Sequence, residues 1–185
     1  MAVREVALIG NPVLRKVGRL LEPEEIGSAR IRGLVEDMLD TMHELGGIGI
    51  AAPQVSESLQ LAIVEITEAS DRYPDSTAFG LTVVVNPRIT VLDQTEQAFW
   101  EGCLSVPDLR GIVHRPRKVR VDYTDLSNRA QSITVEDFVA TVFQHELDHL
   151  QGALFVDKVR DPTTLSTIEN YQRYWLDEPG QPSEV

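Results

Sequence analysis

The chain has 185 residues, 42% hydrophobic and 25% charged, a balance suited to one globular domain that buries most of its unfolded surface without covalent staples. With 29 acidic residues against 17 basic, the net charge of −12 opposes general nucleic-acid binding, and a single cysteine excludes an internal disulfide framework. No apolar run reaches membrane-spanning length, and Met1 to Gly10, broken by Glu5, lacks the core of a secretory signal, so a cytoplasmic protein is the expectation.

Asn11-Pro12 opens a turn into an extended lead-in segment. Apolar residues at Ile31, Leu34, Val35, Met38, Leu39, Met42 and Leu45 then recur at helical spacing, with Ser28 suited to the N-cap and Gly46-Gly47 to the stop. His43, near the end of this helix, reads as a solvated residue that complements the helix dipole. The stretch Gly47-Ile48-Gly49-Ile50-Ala51-Ala52-Pro53-Gln54 has the glycines of a dinucleotide loop but not its setting. A helix precedes it, and Pro53 blocks another from starting. Its small residues instead let an extended peptide approach the backbone, and Gln54 presents a neutral amide where that approach ends.

A strand is predicted over Leu59 to Ile66, then a loop from Glu68 to Gly80, then short strands at Leu81–Asn86, Arg88–Leu92 and Gln97–Trp100. Cys103 follows Gly102. A lone cysteine is most often a small buried hydrophobe. Gly111–Tyr123 and Ala130–Thr134 read as a hairpin joined through Asp125-Leu126-Ser127-Asn128, with Arg115, Arg117, Lys118 and Arg120 on a solvated face.

The helix predicted from Val135 to Leu150, with Thr134 as cap, Asp137 at N3 and Gly152 as stop, carries the sharpest chemistry. A step of about 100° per residue puts His145, Glu146 and His149 on the same arc as Phe138 and Val142. The apolar stripe thus continues into two imidazoles and a carboxylate, groups that cost several kcal/mol to desolvate without partners. A divalent metal resolves the conflict. Histidines at i and i+4 present two ligand nitrogens, the glutamate between them can reach a metal-bound water as base, and a Cys103 thiolate would make a third ligand. Beyond Asp161-Pro162, the residues Leu165, Ile168, Tyr171 and Trp175 suggest a last amphipathic helix. Residues 1–176 therefore form one expected domain, and 177–185 a disordered acidic tail.

Three motifs, Gly47-Ile48-Gly49-Ile50-Ala51-Ala52-Pro53-Gln54, Glu101-Gly102-Cys103-Leu104-Ser105 and Gln144-His145-Glu146-Leu147-Asp148-His149-Leu150, together resemble the peptide deformylases, over about Leu14 to Phe155. The resemblance implies an α+β fold in which short antiparallel strands pack around the His-Glu-x-x-His helix. It also implies hydrolysis of the N-formyl group from N-formylmethionyl peptides of nascent chains. Cys103, His145 and His149 would hold one metal ion, ferrous iron (Fe2+) in the usual member, with Zn2+, Ni2+ or Co2+ as substitutes. Glu146 would move the proton, while the Gln54 amide and the Leu104 backbone N–H would stabilise the oxyanion. The peptide would lie as an added strand against Ile48, Gly49 and Gly102, with its methionine between Ile48, Phe138 and Val142 and Thr141 as a further wall.

Arg110 matches a position that contacts the peptide backbone, but it equally suits a structural pairing with Glu101 or Asp108. Glu101 is expected to pair with Arg110 or Arg115, and the sequence leaves both open. Between Ser166 and Asp177 only Arg173 is basic, so ribosome docking through a basic terminal helix is not supported. Two alternatives compete: a zinc peptidase with another third ligand such as His114, and a metal-stabilised peptide-binding module, which would not need Glu146.

Overall fold

The computed structural model describes residues 2–67 and 78–176. Most of the predicted loop after Ile66, and all of the predicted acidic tail, lie outside them.

Helix α1 spans Ala29–Glu44 as its periodicity requires. The Ser28 side chain accepts from the Ile31 N–H, and Gly46, at φ +64°, carries the chain out in a conformation that favours glycine. The lead-in is a short 3-10 turn, Pro12–Arg15, whose N-cap Asn11 accepts from the Val13 N–H.

Five antiparallel strands follow in spatial order: β1 (Gly49–Ala51), β2 (Leu61–Ile66), β3 (Phe79–Cys103), β4 (Val106–Thr124) and β5 (Ala130–Glu136). The two-residue β6 (Ser166–Thr167) pairs separately with β4. Helix α2 covers Asp137–Leu150, and α3 covers Ile168–Tyr174. The result is an α+β fold.

Alternation along β2 sorts the core. Ala62, Val64 and Ile66 join a cluster with Val84, Val119, Phe143 and Leu147 of the α2 side, whereas Leu61 and Ile63 join Ile31, Met38 and Met42 of α1. The two helices thus cover opposite faces of the sheet. Each fully buried side chain of this size contributes about 1.5–3 kcal/mol, so the packing holds α2 in place before any site chemistry is considered.

Three sequence expectations need correction. The short strands predicted between Leu81 and Trp100 are one 25-residue strand. Register shifts between Val85 and Arg88, Val91 and Asp93, and Asp93 and Glu96 absorb its irregular pattern, and Pro87 sits inside the first of them. Thr134 does not cap α2, because it pairs with Arg120 while Val135 and Glu136 pair with Val119 and Lys118. The chain passes from strand to helix at Glu136, without a side-chain cap, and Asp137 takes φ +55°. Asp161-Pro162 begins only a 3-10 turn, and α3 starts six residues later under Thr167, whose side chain accepts from the Asn170 N–H. Among the described residues no helix is long and apolar enough to cross a membrane.

Candidate metal centre

The tight turn Leu104-Ser105, between the end of β3 and the start of β4, sets Cys103 opposite Val106 and leaves its thiol buried. Helix α2 brings His145 and His149 to the same point. One ligand atom from each of Cys103, His145 and His149 lies within 4.8 Å of the others, all three residues being buried. Cys103 Sγ is 3.3 Å from His149 Nε2, and the two imidazoles meet edge to face at 5.1 Å. One sulfur and two imidazole nitrogens form the mixed donor set that borderline divalent ions prefer, so these residues fit the metal that the sequence implies. Around the sulfur, the Ser105 N–H donates at 3.4 Å and Gln54 Nε2 at 3.5 Å. Gln54 is itself pinned, because its Oε1 accepts from the Ala51 N–H at 2.8 Å.

Behind His145 stands a charged brace. His145 Nδ1 donates to Glu101 Oε2 at 2.8 Å, which fixes the tautomer and turns Nε2 towards the cluster. Arg115 Nη2 donates to the same carboxylate at 2.9 Å, and its Nη1 donates to Asp148 Oδ2 at 2.8 Å. Glu101 therefore pairs with Arg115, not Arg110. Burial pushes the Glu101 carboxyl up, but the Arg115 charge and the hydrogen bonds from Arg115 and His145 outweigh it and hold the group down to about 2. Burial depresses both imidazoles. At His145 the bonds to Cys103 and Glu101 reverse the effect, whereas His149 stays well below the usual histidine range.

Glu146 is placed differently. It is buried beside the cluster without belonging to it, and its Oε2 has no hydrogen-bond partner. Burial pushes its carboxyl up to about 7, the range of a group that exchanges protons near neutrality. A Cβ at Gly49 would lie 2.4 Å from Glu146 Oε1, so glycine is what lets β1 pass this close.

Ile48, Gly49, Gln54, Gly102, Leu104 and Val142 line one narrow cavity with Cys103, His145 and Glu146. Phe138 is not among its lining residues. It packs edge to face on Phe99, at 6.0 Å. Thr141 is fully buried, and its Oγ1 accepts from Gln97 Nε2 at 3.1 Å. Arg110 lies over Gly102, where a Cβ would meet its Nη1 at 2.0 Å. His43, exposed beside Glu65, and His114 are both outside the ligand cluster. The basic residues of β4 are neutralised: Arg117 pairs with Asp137, Lys118 with Glu136 and Arg120 with Asp122. Sequence reasoning missed Ser105, Phe99 and the Arg115–Asp148 link. Alternation from Glu101 back to Phe99 was the available signal, since it sets those two residues on one face of β3, whereas a register shift intervenes before Cys103.

An antiparallel α+β fold whose helix completes a buried cysteine–histidine–histidine cluster that could hold a metal ion has the make-up of a hydrolase, and that is the class the comparisons bear out. The family model for polypeptide deformylase matches residues 3–164, and the chain belongs to the peptide deformylase family of enzymes. It is 39% identical over 160 residues to a peptide deformylase of Leptospira biflexa, covering 86% of this chain and 89% of that one. With peptide deformylase 2 of a Nostoc species it is 42% identical over 164 residues, covering 89% and 90%. The fold is similar to the Met-Ala-Ser-bound class I type b peptide deformylase from Acinetobacter baumannii, with TM-score 0.83, 38% identity and coverage of 85% of this chain and 99% of that chain.

Proposed function

We propose that this chain removes the formyl group from N-formylmethionyl ends of nascent polypeptides in the cytoplasm, releasing formate. Cys103, His145 and His149 hold the ion, and ferrous iron is our assignment, with Zn2+, Ni2+ and Co2+ as substitutes that the same donors accept. When bound, such an ion supplies Lewis-acid polarisation of the water and of the formyl oxygen. The chain's own residues do the rest. Glu146 takes the proton from the attacking water at Oε2 as oxygen adds to the formyl carbon. As the C–N bond breaks it delivers that proton to the leaving amine, so formate and a free amino terminus result. The Gln54 amide and the Leu104 N–H donate to the oxyanion, each such donor being worth about 3–4 kcal/mol in the transition state. The peptide adds to the outer edge of β1 at Ile48 and Gly49 and passes Gly102 and Arg110, with its methionine towards Ile48 and Val142 and Phe138 behind them.

The observation that carries this reading is the placement of Glu146, buried beside the three ligands with one carboxylate oxygen unpartnered. A structural metal has no use for such a group, and a peptidase with His114 as third ligand would leave the Cys103 sulfur without a role. Formate release from a formyl-Met peptide should be rapid, and acetate release from its acetyl counterpart slow. Glu146→Gln should bind metal normally and release little formate. Peptide-bond cleavage by a Cys103→Ala protein that retains full metal would refute the assignment.

A further inference from the structure

Helical geometry turns Gln144, Leu147, Asp148 and Gln151 away from Val142, His145 and Glu146, onto the opposite face of α2. That face borders a second cavity of about 590 Å³, walled by Pro87, Arg88, Ile89 and Val91 of β3 and 114–116 of β4, and it shares no lining residue with the cavity at the metal cluster. Its size is that of small-ligand sites, roughly 300–1,000 Å³.

The lining is two-sided. Ile89 and Val91, 40% and 36% exposed, offer apolar surface together with Leu147 and Pro116. Against them stand three permanent cations, Arg88, Arg115 and Lys158, with His114 at the rim. Asp148 is the one carboxylate of the lining, and it is already engaged by Arg115 at 2.8 Å and Lys158 at 3.5 Å. In a chain of net charge −12 this is a local reversal of sign. Arg117, Arg120, Arg129 and Arg160 are each paired with a carboxylate, whereas Arg88 has no such partner among the described residues.

We propose that this cavity binds a small organic monoanion, a carboxylate carried on an apolar body. The carboxylate sits towards Arg88 and Lys158, and the body lies against Ile89, Val91 and Leu147. Arg115 is already held by Glu101 and Asp148, and Lys158 by Asp148, so a neutral hydrocarbon would leave Arg88 uncompensated, and an inorganic anion would leave the apolar wall wet. The site is independent of the reaction assigned above.

Methyl NMR of the metal-loaded protein titrated with octanoate tests it, with 1-octanol and acetate as probes that each lack one half of the chemistry. Saturable shifts should appear at the Ile89, Val91 and Leu147 methyls. Both control probes should bind at least about tenfold more weakly than octanoate. Arg88→Gln should weaken octanoate by at least about tenfold and leave formyl-peptide turnover unchanged, while Arg173→Gln changes neither. Shifts confined to Ile48 and Val142, octanol binding equal to octanoate, an Arg88→Gln protein that binds as wild type, or no saturable shifts at all would each overturn the proposal.

Discussion

Two buried glutamates flank His145 and live in opposite electrostatic surroundings. Glu101 is locked between the His145 ring and the Arg115 guanidinium and held down to about 2, whereas Glu146 has an unpartnered oxygen and is pushed up to about 7. Burial raises both, so the difference comes from partners. A carboxylate bonded on every side can orient a ring but cannot give up its charge. One left short of partners, in a pocket of the same dryness, is poised to carry a proton. Bracing and reacting are thus separated by one helical position, because His145 and Glu146 point into different neighbourhoods of the same packed helix.

The strongest way to break that contrast is Glu146→Gln, which keeps shape and removes the carboxylate proposed to carry the proton. Turnover should fall by about 10²–10⁴-fold with metal content and thermal midpoint preserved, measured by formate release beside metal analysis and calorimetry. Arg115→Ala attacks the other side. It takes the only cationic side chain from buried Glu101 among the described residues, apart from the His145 ring, and leaves Asp148 to Lys158 alone, so stability should drop by about 3–5 kcal/mol in denaturant unfolding, and metal affinity by about 10–100-fold in competition with a chelator. Gln54→Ala should cost about 10²–10³-fold in kcat while shifting the unfolding midpoint little, because its loss is felt by the reacting oxygen and not by the core.

The smallest effect sharpens the comparison with a half-buried carboxylate of a surface turn. Asp125 accepts from the Arg129 and Ser127 N–H groups and from Gln131 Nε2 in the β4–β5 turn, which holds it down to about 2. Its folded pKa lies below the unfolded value, so its stabilisation is present above about pH 4 and fades as pH falls towards 2. The gap in urea midpoint between wild type and Asp125→Asn should therefore be widest near neutrality and close on acidification.

How much of this could be read beforehand follows from the range of the interactions. Ser28, the α1 periodicity and the Gly46 exit are local, and the sequence displays them. The two histidines four residues apart are also local. The Glu101–Arg115 pair depends on how β3 folds back on β4, with Glu101 opposite Gly111, and that register is fixed by a hairpin whose shifts no short window reveals. Arg110 and Arg115 consequently looked equivalent. The missing Thr134 cap has a similar cause: pairing of β5 with β4 holds Val135 and Glu136 in the sheet and overrides a plausible capping sequence.

β1 is only three residues long and stands at the outside of the sheet. So brief a border offers a visiting strand a few rungs of backbone pairing, enough to recruit a flexible chain end and too few to zip one copy of the protein onto another. What stands behind that border fixes its one glycine: a Cβ at Gly49 would meet the Glu146 side chain, so Gly49→Ala would be expected to displace the carboxylate before it strengthened the edge.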